Sequence, residues 1–406
     1  MTDIVIVVNA GSSSLKFSVY AAEEAPELLY KGQMDGVATR PRLVVQGADG
    51  AAAIDKRYSA AEIDDHDMAL QEVVNWLRSS FGHTPVVGIG HRIAHGGVEF
   101  AAPVAIDEQV VAKLDRLSPL APLHQPANLA AIRAAMRSIP SLPQVACFDT
   151  AFHRTHPALA DCFALPRALQ QDGVRRYGFH GLSYEFIASA LPRVAPEIAD
   201  GKVVVAHLGS GASMCAMKQR TSIDSTMSFT ALDGLPMGTR CGALDPGVVI
   251  YLIREKRMTV EQVERLLYQE SGLRGLSGIS NDVRDLLASH DPAAKFALDF
   301  FIYRTARELA SLATALEGLD GIVFTAGIGE HSAEVRAGVC ARCAWLGVEL
   351  DEPANRAGAT RITTPQSRVS AWIIPTDEEL VIAKHTLAVI RRSAPGTPAT
   401  ARRGTS

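Results

Sequence analysis

The sequence predicts an α/β protein built from two like halves, and three observations carry that expectation. Short apolar stretches bounded by glycine alternate with stretches of helical spacing, the interleaving that a sheet with covering helices requires. The chain of 406 residues is too long for one ordinary core, so two domains are its natural division. Val5-Ile6-Val7-Val8-Asn9-Ala10-Gly11-Ser12-Ser13 also has a counterpart half a chain later, Val203-Val204-Val205-Ala206-His207-Leu208-Gly209-Ser210-Gly211. Both are a strand running into a Gly/Ser turn, and a bland turn rarely recurs in this way.

The first element is a β-hairpin, Ile4–Val8 with Leu15–Tyr20. A Walker A loop would need Gly-Lys-Ser/Thr and a helix directly after it; here the residues after Ser14 alternate with β-branched and aromatic members, as a strand does. The tip, Asn9 to Ser14, can aim backbone N–H groups and hydroxyls at an anion, with Gly11 permitting close approach. Leu70, Val73, Val74 and Leu77 predict one helix, and Val110, Leu114 and Leu117 another behind an N-cap at Asp107. Val86–Ile89, Val145–Phe148, Val203–Ala206 and Ile322–Thr325 read as strands, and Met214 to Met217 as the return strand of the second hairpin. Thr259 and Gln262 form a capping box ahead of an amphipathic stretch, Val263 to Leu267. Ile322–Thr325 runs into a glycine loop at 327–329 with a helix expected from about Ser332, a third anion cradle. Three such elements point to a nucleotide. The tail from Ser393 is small, polar and proline-bearing and reads as disordered.

Composition narrows the function. With 47% hydrophobic and 21% charged residues and a net charge of −4, the chain is expected to be soluble, with no electrostatic footprint for nucleic acid or an anionic membrane. No basic n-region precedes the first strand and no apolar run is long enough to span a bilayer. Six cysteines do not make a disulfide framework, so the cytoplasm is the expected compartment. Cys340 and Cys343 form a C-x-x-C that lacks the second pair a zinc site needs.

Four stretches hold polar residues that packing does not ask for: Gly90 to Gly97 with Arg92, Cys147 to His153 with Asp149, Arg175 to Gly181 with His180, and Gly234 to Gly242 with Arg240. Two arginines, a histidine and an aspartate at strand ends make a cationic cleft with one metal-capable carboxylate. Phosphoryl transfer needs such charge, a metal and positioning.

Ten motifs, NAGSSSLKF, GHRIAHGG, LAPLHQPANL, FDTAFH, RRYGFHG, HLGSGAS, GLPMGTRCG, GISNDVRD, FTAGIGEH and PTDEEL, lie in order up to about residue 392, and together they resemble the acetate kinase family. The resemblance implies the duplicated actin-like (ribonuclease H-like) ATPase fold, two domains facing a central cleft. The N-terminal domain would be 1–153, completed by about 381–392, and the nucleotide-binding domain 154–380, with a disordered tail at 393–406. It also implies Mg2+-dependent exchange (Mn2+ as a substitute) between ATP and acetate, giving acetyl phosphate and ADP, in a cytoplasmic homodimer. Position by position, Asn9, Ser12, Ser14 and Lys16 would line the hairpin at the transferred phosphate. Arg92 and Arg240 would hold the carboxylate and the phosphoryl group, and His180 an equatorial oxygen, with His124 and His207 in support. Asp149 would be the catalytic acidic residue near the metal, which Asn9 and Glu378 would also hold. The nucleotide would meet His207, Leu208, Gly209, Ser210 and Gly211, then Asp282, Val283 and Arg284, then Gly327, Ile328, Gly329, Glu330 and His331.

Departures from the family pattern are as informative. Asparagine is replaced by Ser210 and by His331 in two nucleotide-side loops, His-Asn-Pro becomes His124-Gln125-Pro126, and a Thr-Ser-His run becomes Leu182-Ser183-Tyr184. The resemblance places the methyl of acetate among four walls, here Ala94, Leu123, Phe179 and Ala231; valine and proline have become the two alanines, which leaves room for a longer acid. A propionate or butyrate kinase is therefore the second reading. A non-catalytic actin-like nucleotide switch is the third, and the retained Arg92, Asp149, His180, Arg240 and Glu378 argue against it.

Overall fold

A computed structural model describes residues 2–11, 14–82, 84–122 and 124–393. Ser12, Leu123 and the expected tail beyond Ser393 lie outside the described residues. The chain divides into two units: residues up to Ala151 together with the helix Glu378–Ser393, and Phe152–Asp377.

In the first unit, β1 (Ile4–Ala10), β2 (Ser14–Ala21), β3 (Leu28–Asp35), β4 (Arg42–Gly47), β5 (Ala52–Arg57), β6 (Val86–Ile93), β7 (Val104–Ala105) and β8 (Gln144–Phe148) form one sheet in the order β5-β4-β3-β2-β1-β6-β8-β7. β1 to β5 are an antiparallel meander, while β1, β6 and β8 run parallel. The helices His66–Phe81 and Gln125–Ser138 close one apolar cluster over Ile4, Ile6 and Val8 through Leu70, Val73, Leu77 and Ala131. Asp107 caps the helix Glu108–Asp115 by accepting from the Val110 N–H at 2.8 Å. That helix stops before Leu117, because Pro119 has no N–H for the Asp115 carbonyl; Leu117 still packs against Ile93 and Phe148.

The helix Glu378–Ser393 lies on the same sheet, and two glycines of β6 make its seat. A Cβ at Gly88 would fall 2.3 Å from Ile390 Cδ1, and one at Gly90 2.2 Å from Thr386 Oγ1. Any side chain at either position would push the helix off the strand.

The second unit repeats the plan. β9 (Lys202–Leu208), β10 (Ala212–Lys218), β11 (Thr221–Ser225), β12 (Gly321–Thr325) and β13 (Ser370–Ile373) run β11-β10-β9-β12-β13, with β9, β12 and β13 parallel. This is the order β3-β2-β1-β6-β8 of the first unit, so the sequence repeat is a repeat of topology. Alternation on β9 sends Val203 and Val205 to a core shared with the helix Gly181–Val194. Val204 and Ala206 face the opposite core, shared with the helix Pro292–Ala315. The capping box forms as expected: the Gln262 N–H donates to Thr259 Oγ1 at 3.2 Å, and the Thr259 N–H to Gln262 Oε1 at 2.8 Å.

One expectation needs correction. Residues 327–331 are not a glycine loop but part of a short helix, Ala326–His331, and Ser332 then caps a second helix, Ala333–Arg342. Glu330 Oε1 accepts from the Ala326 N–H at 2.8 Å. At the other end the buried Arg336 donates to the Gly329 and Glu330 carbonyls at 3.0 and 2.9 Å. These bonds offset the poor helix propensity of two glycines. Among the described residues no helix is long and apolar enough to cross a membrane.

Candidate active site

Parallel pairing positions the candidate residues of the first unit. β6 sets Arg92 opposite Cys147 of β8, and Asp149 follows directly after β8, its N–H bonded to the Ile93 carbonyl at 3.0 Å. The Arg92 guanidinium donates from Nη2 to Asp149 Oδ2 at 2.7 Å and from Nε to Oδ1 at 3.2 Å, a forked pairing that fixes its plane. Glu378, first residue of the helix seated on Gly88 and Gly90, brings Oε2 to 3.7 Å from Arg92 Nε. Burial works against the Arg92 charge, but Asp149 and Glu378 outweigh it and raise its pKa. Burial pushes the Glu378 carboxyl up to about 7; Arg92 opposes that rise and Asp149 adds to it. Two carboxylates thus share one guanidinium, and a further positive charge at Glu378 would be welcome. Asn9 and Lys16 face each other across the β1–β2 pair, so their side chains leave the same side of the hairpin.

Two residues to which the sequence assigned no role tie these strands and their turns together. Asn128, buried on the helix Gln125–Ser138, donates to the Ala10 carbonyl at 2.8 Å and accepts from the Ala94 N–H at 3.1 Å. Gln125, a departure from the family pattern, accepts from the His95 N–H at 3.2 Å and donates to the carbonyls of His95 and Leu114 at 3.1 and 3.2 Å. His124 is the N-cap residue of that helix. His91 is a core histidine, buried with Nε2 2.8 Å from Gln144 Oε1, and burial lowers its pKa to about 4.

The candidate residues of the second unit gather around the β9–β10 turn. His180 caps the helix Gly181–Val194 from a left-handed backbone, φ 56°. Its Nδ1 lies 2.8 Å from Ser213 Oγ, and Tyr184 Oη lies 2.5 Å from the same hydroxyl, so the tyrosine that replaces the family's histidine joins this network. His207 Nδ1 lies 2.8 Å from Ser183 Oγ, and its ring stacks on His180 with centroids 4.2 Å apart. Arg240 donates from Nη1 to the Ala231 carbonyl at 2.6 Å. A Cβ at Gly211 would fall 2.7 Å from Arg240 Nη2 and 3.4 Å from His180 Nε2, so only glycine lets the turn approach both. Leu208 is buried, Gly209 donates to the Gly211 carbonyl at 3.1 Å, and the Ser210 carbonyl accepts from the Gly238 N–H at 3.2 Å.

The remaining expected residues fall unevenly. Asp282 caps the helix Val283–Ala288 and pairs with Arg284, whose side chain is exposed, while Val283 packs in the core. Gly327 and His331 are exposed and Gly329 is buried. Of the four expected walls for the acid's methyl group, Ala94 is buried in the first unit, and Phe179 and Ala231 pack against one apolar cluster in the second. Among the described residues no three His, Cys, Asp or Glu side chains converge as a metal cluster. Asp149, Glu378 and Asn9 are nevertheless hard oxygen donors of the kind Mg2+ takes in ones and twos beside substrate phosphates.

The sequence matches the Acetokinase family over residues 4–384. It is 55% identical to the acetate kinase of Nitrobacter hamburgensis, over 96% of this chain and 96% of that one. To the acetate kinase of Rickettsia akari it is 40% identical, over 95% and 99%. The fold is similar to the propionate kinase of Francisella tularensis, with TM-score 0.89 at 34% identity over 95% of this chain and 99% of that one. It is also similar to the acetate kinase of Porphyromonas gingivalis, with TM-score 0.86 at 31% identity over 96% and 100%.

Proposed function

The chain belongs to the acetokinase family, and on that premise we propose that it transfers the γ-phosphoryl group of ATP reversibly to acetate, giving acetyl phosphate and ADP. The observation that carries the reading is the Arg92 guanidinium, held charged and in a fixed plane by Asp149 at 2.7 Å and Glu378 at 3.7 Å. A carboxylate is already a competent nucleophile once its repulsion from the phosphate is offset, so the protein's task is charge and alignment. Arg92 supplies charge for the acid, and Arg240, oriented by the Ala231 carbonyl, supplies it for the phosphoryl group in flight. His180 donates from Nε2 to an equatorial oxygen, its ring fixed through Nδ1 by Ser213. Asp149, Glu378 and Asn9 would hold Mg2+, which when bound neutralises phosphate charge.

Ala94 and Ala231, where the family pattern has valine and proline, favour propionate as a second substrate, in keeping with the likeness to a propionate kinase. We place the enzyme in the cytoplasm, consistent with six free cysteines. We also read it as a homodimer, since one helix, Pro246–Arg254, exposes Val248, Ile250, Tyr251 and Ile253 together. ATP-dependent acyl hydroxamate formation across C2 to C4 acids tests the reaction. Product from acetate or propionate supports it, and none from any acid overturns it in favour of a nucleotide switch.

A further inference from the structure

Away from the residues assigned to substrate, the second unit carries a buried polar line that the reaction does not explain. His153 Nε2 lies 2.9 Å from the Phe179 carbonyl and Nδ1 2.8 Å from Ser222 Oγ. The same hydroxyl lies 2.8 Å from His156 Nε2, and His156 Nδ1 lies 3.1 Å from Asp161 Oδ1. Asp161 Oδ2 is paired with Arg175. His153, His156, Asp161 and Ser222 are all buried.

The hydrogens in this line can be counted. It begins at a carbonyl and ends at a carboxylate, both acceptors, and its four contacts need four hydrogens. Ser222 brings one and two neutral imidazoles bring one each. With Asp161 kept a carboxylate by Arg175 and both imidazoles neutral, the line therefore sets two lone pairs against each other at one of its contacts, and a buried polar group without its hydrogen bond is costly.

We propose that the line holds a fourth proton, on His156 against Asp161, and that through His153 it positions His180. The proton belongs on His156 because that ring faces the carboxylate, whereas His153 faces only a carbonyl and a hydroxyl. Burial works against charge on both rings, and the more strongly on His153, whose pKa it lowers to about 3. Asp224 favours charge on His156, and Arg176 and Arg175 oppose it. What holds the proton is the 3.1 Å contact with Asp161, attractive only if Nδ1 carries a hydrogen. Cys215 Sγ, 3.2 Å from Ser222 Oγ, stays a neutral thiol, its pKa pushed up to about 12 by burial.

The positioning role follows from the backbone that His153 touches. Gly178 has φ 79° and His180 φ 56°, and a left-handed non-glycine residue persists only where its surroundings hold it. A Cβ at Gly178 would fall 2.5 Å from His153 Cγ, so the imidazole packs directly on this turn while its N–H holds the Phe179 carbonyl. His180 is aimed by a turn that His153 braces.

The kinetic part rests on the proposed phosphoryl transfer, whereas the proton count does not. In 15N-histidine NMR of the wild type at pH 7, both His156 nitrogens should be protonated. In Asp161→Asn the amide can donate to Nδ1 without a charge, so the imidazolium signature should vanish while kcat stays within about threefold. His153→Ala should lower kcat by about tenfold or more with KM for ATP and acid nearly unchanged, and His153→Gln, which keeps a donor for the carbonyl, should recover part of it. A singly protonated His156 in the wild type overturns the fourth proton. A folded His153→Ala with wild-type kcat, or a folded His153→Gln that raises KM for ATP instead of altering kcat, overturns the positioning role. Wild-type protein that phosphorylates no short acid would defeat the reaction instead, and the spectra would still decide the proton.

Discussion

Asn128 donates its side-chain amide to the carbonyl of Ala10, 2.8 Å away and 118 residues earlier in the chain. Its other amide atom accepts the Ala94 N–H, so one side chain joins the end of β1 to the turn after Arg92. Replacing it with aspartate turns the donor into an acceptor facing a carbonyl. Asn128→Asp should lose about 1–3 kcal/mol of stability in chemical denaturation and lower kcat as well. Wild-type values for both would show that the hairpin needs no such tie.

Arg92→Ala removes the charge that both Asp149 and Glu378 face, and Arg240→Ala removes its counterpart in the second unit. On the proposed mechanism each supplies positive charge to the transition state, so each variant should depress kcat by ~10² or more. The hydroxamate assay reads this directly. Near-wild-type turnover in either variant would take that arginine out of the mechanism.

His91 should make the protein acid-labile. Burial lowers its folded pKa from 6.5 to about 4, so above pH 6.5 both folded and unfolded chains leave it neutral and its stability contribution is complete. As pH falls from 6.5 to about 4, the unfolded chain takes up a proton that the folded one refuses, and that contribution is lost, to a limit of about 3 kcal/mol. His91→Gln can keep an amide pair with Gln144 without titrating. Denaturation curves at pH 7, 6 and 5 should show a shallower loss in the variant, and equal slopes would mean that His91 is not the source.

Ala94 decides a question of acid length. Its family counterpart is valine, as proline is that of Ala231, and we propose that the two smaller side chains accept an added methylene, whose burial is favourable by about 0.8 kcal/mol. Propionate should rival acetate in kcat/KM, butyrate should be measurably used, and Ala94→Val should move preference back towards acetate by about tenfold. Strong acetate preference in the wild type, unchanged by the substitution, would mean that neighbouring side chains fill the space.

Much of this was legible because it is local. The short apolar run Val203 to Ala206 and the Gly/Ser turns at 11 and 209–211 mark strands and tight turns wherever they occur, and the repeat of that pattern foretold two halves of similar fold. Arg92 and Asp149 stood out as charge at strand ends, whereas His180 and Arg240, expected there too, lie at a helix N-terminus and in the long connection after β11. The missed features depend on distant partners. Asn128 and Gln125 look like ordinary polar helix residues until β1 and the His95 turn arrive beside them, and Gly88 and Gly90 look like weak strand residues until the helix from Glu378 lies on them. The two glycines at 327 and 329 suggested a loop; Arg336 and Glu330, which hold them in a helix, are ordinary surface residue types by composition.

The glycine seat on β6 also fixes an order of events during synthesis. The first unit is discontinuous: β1 to β8 are translated first, the whole of Phe152–Asp377 follows, and only then comes the helix that covers Gly88 and Gly90. A nascent chain that has reached the second unit already holds Arg92 and Asp149 but not yet Glu378 or the helix that covers Gly88 and Gly90, so the charge cluster is the last part of the first unit to be completed.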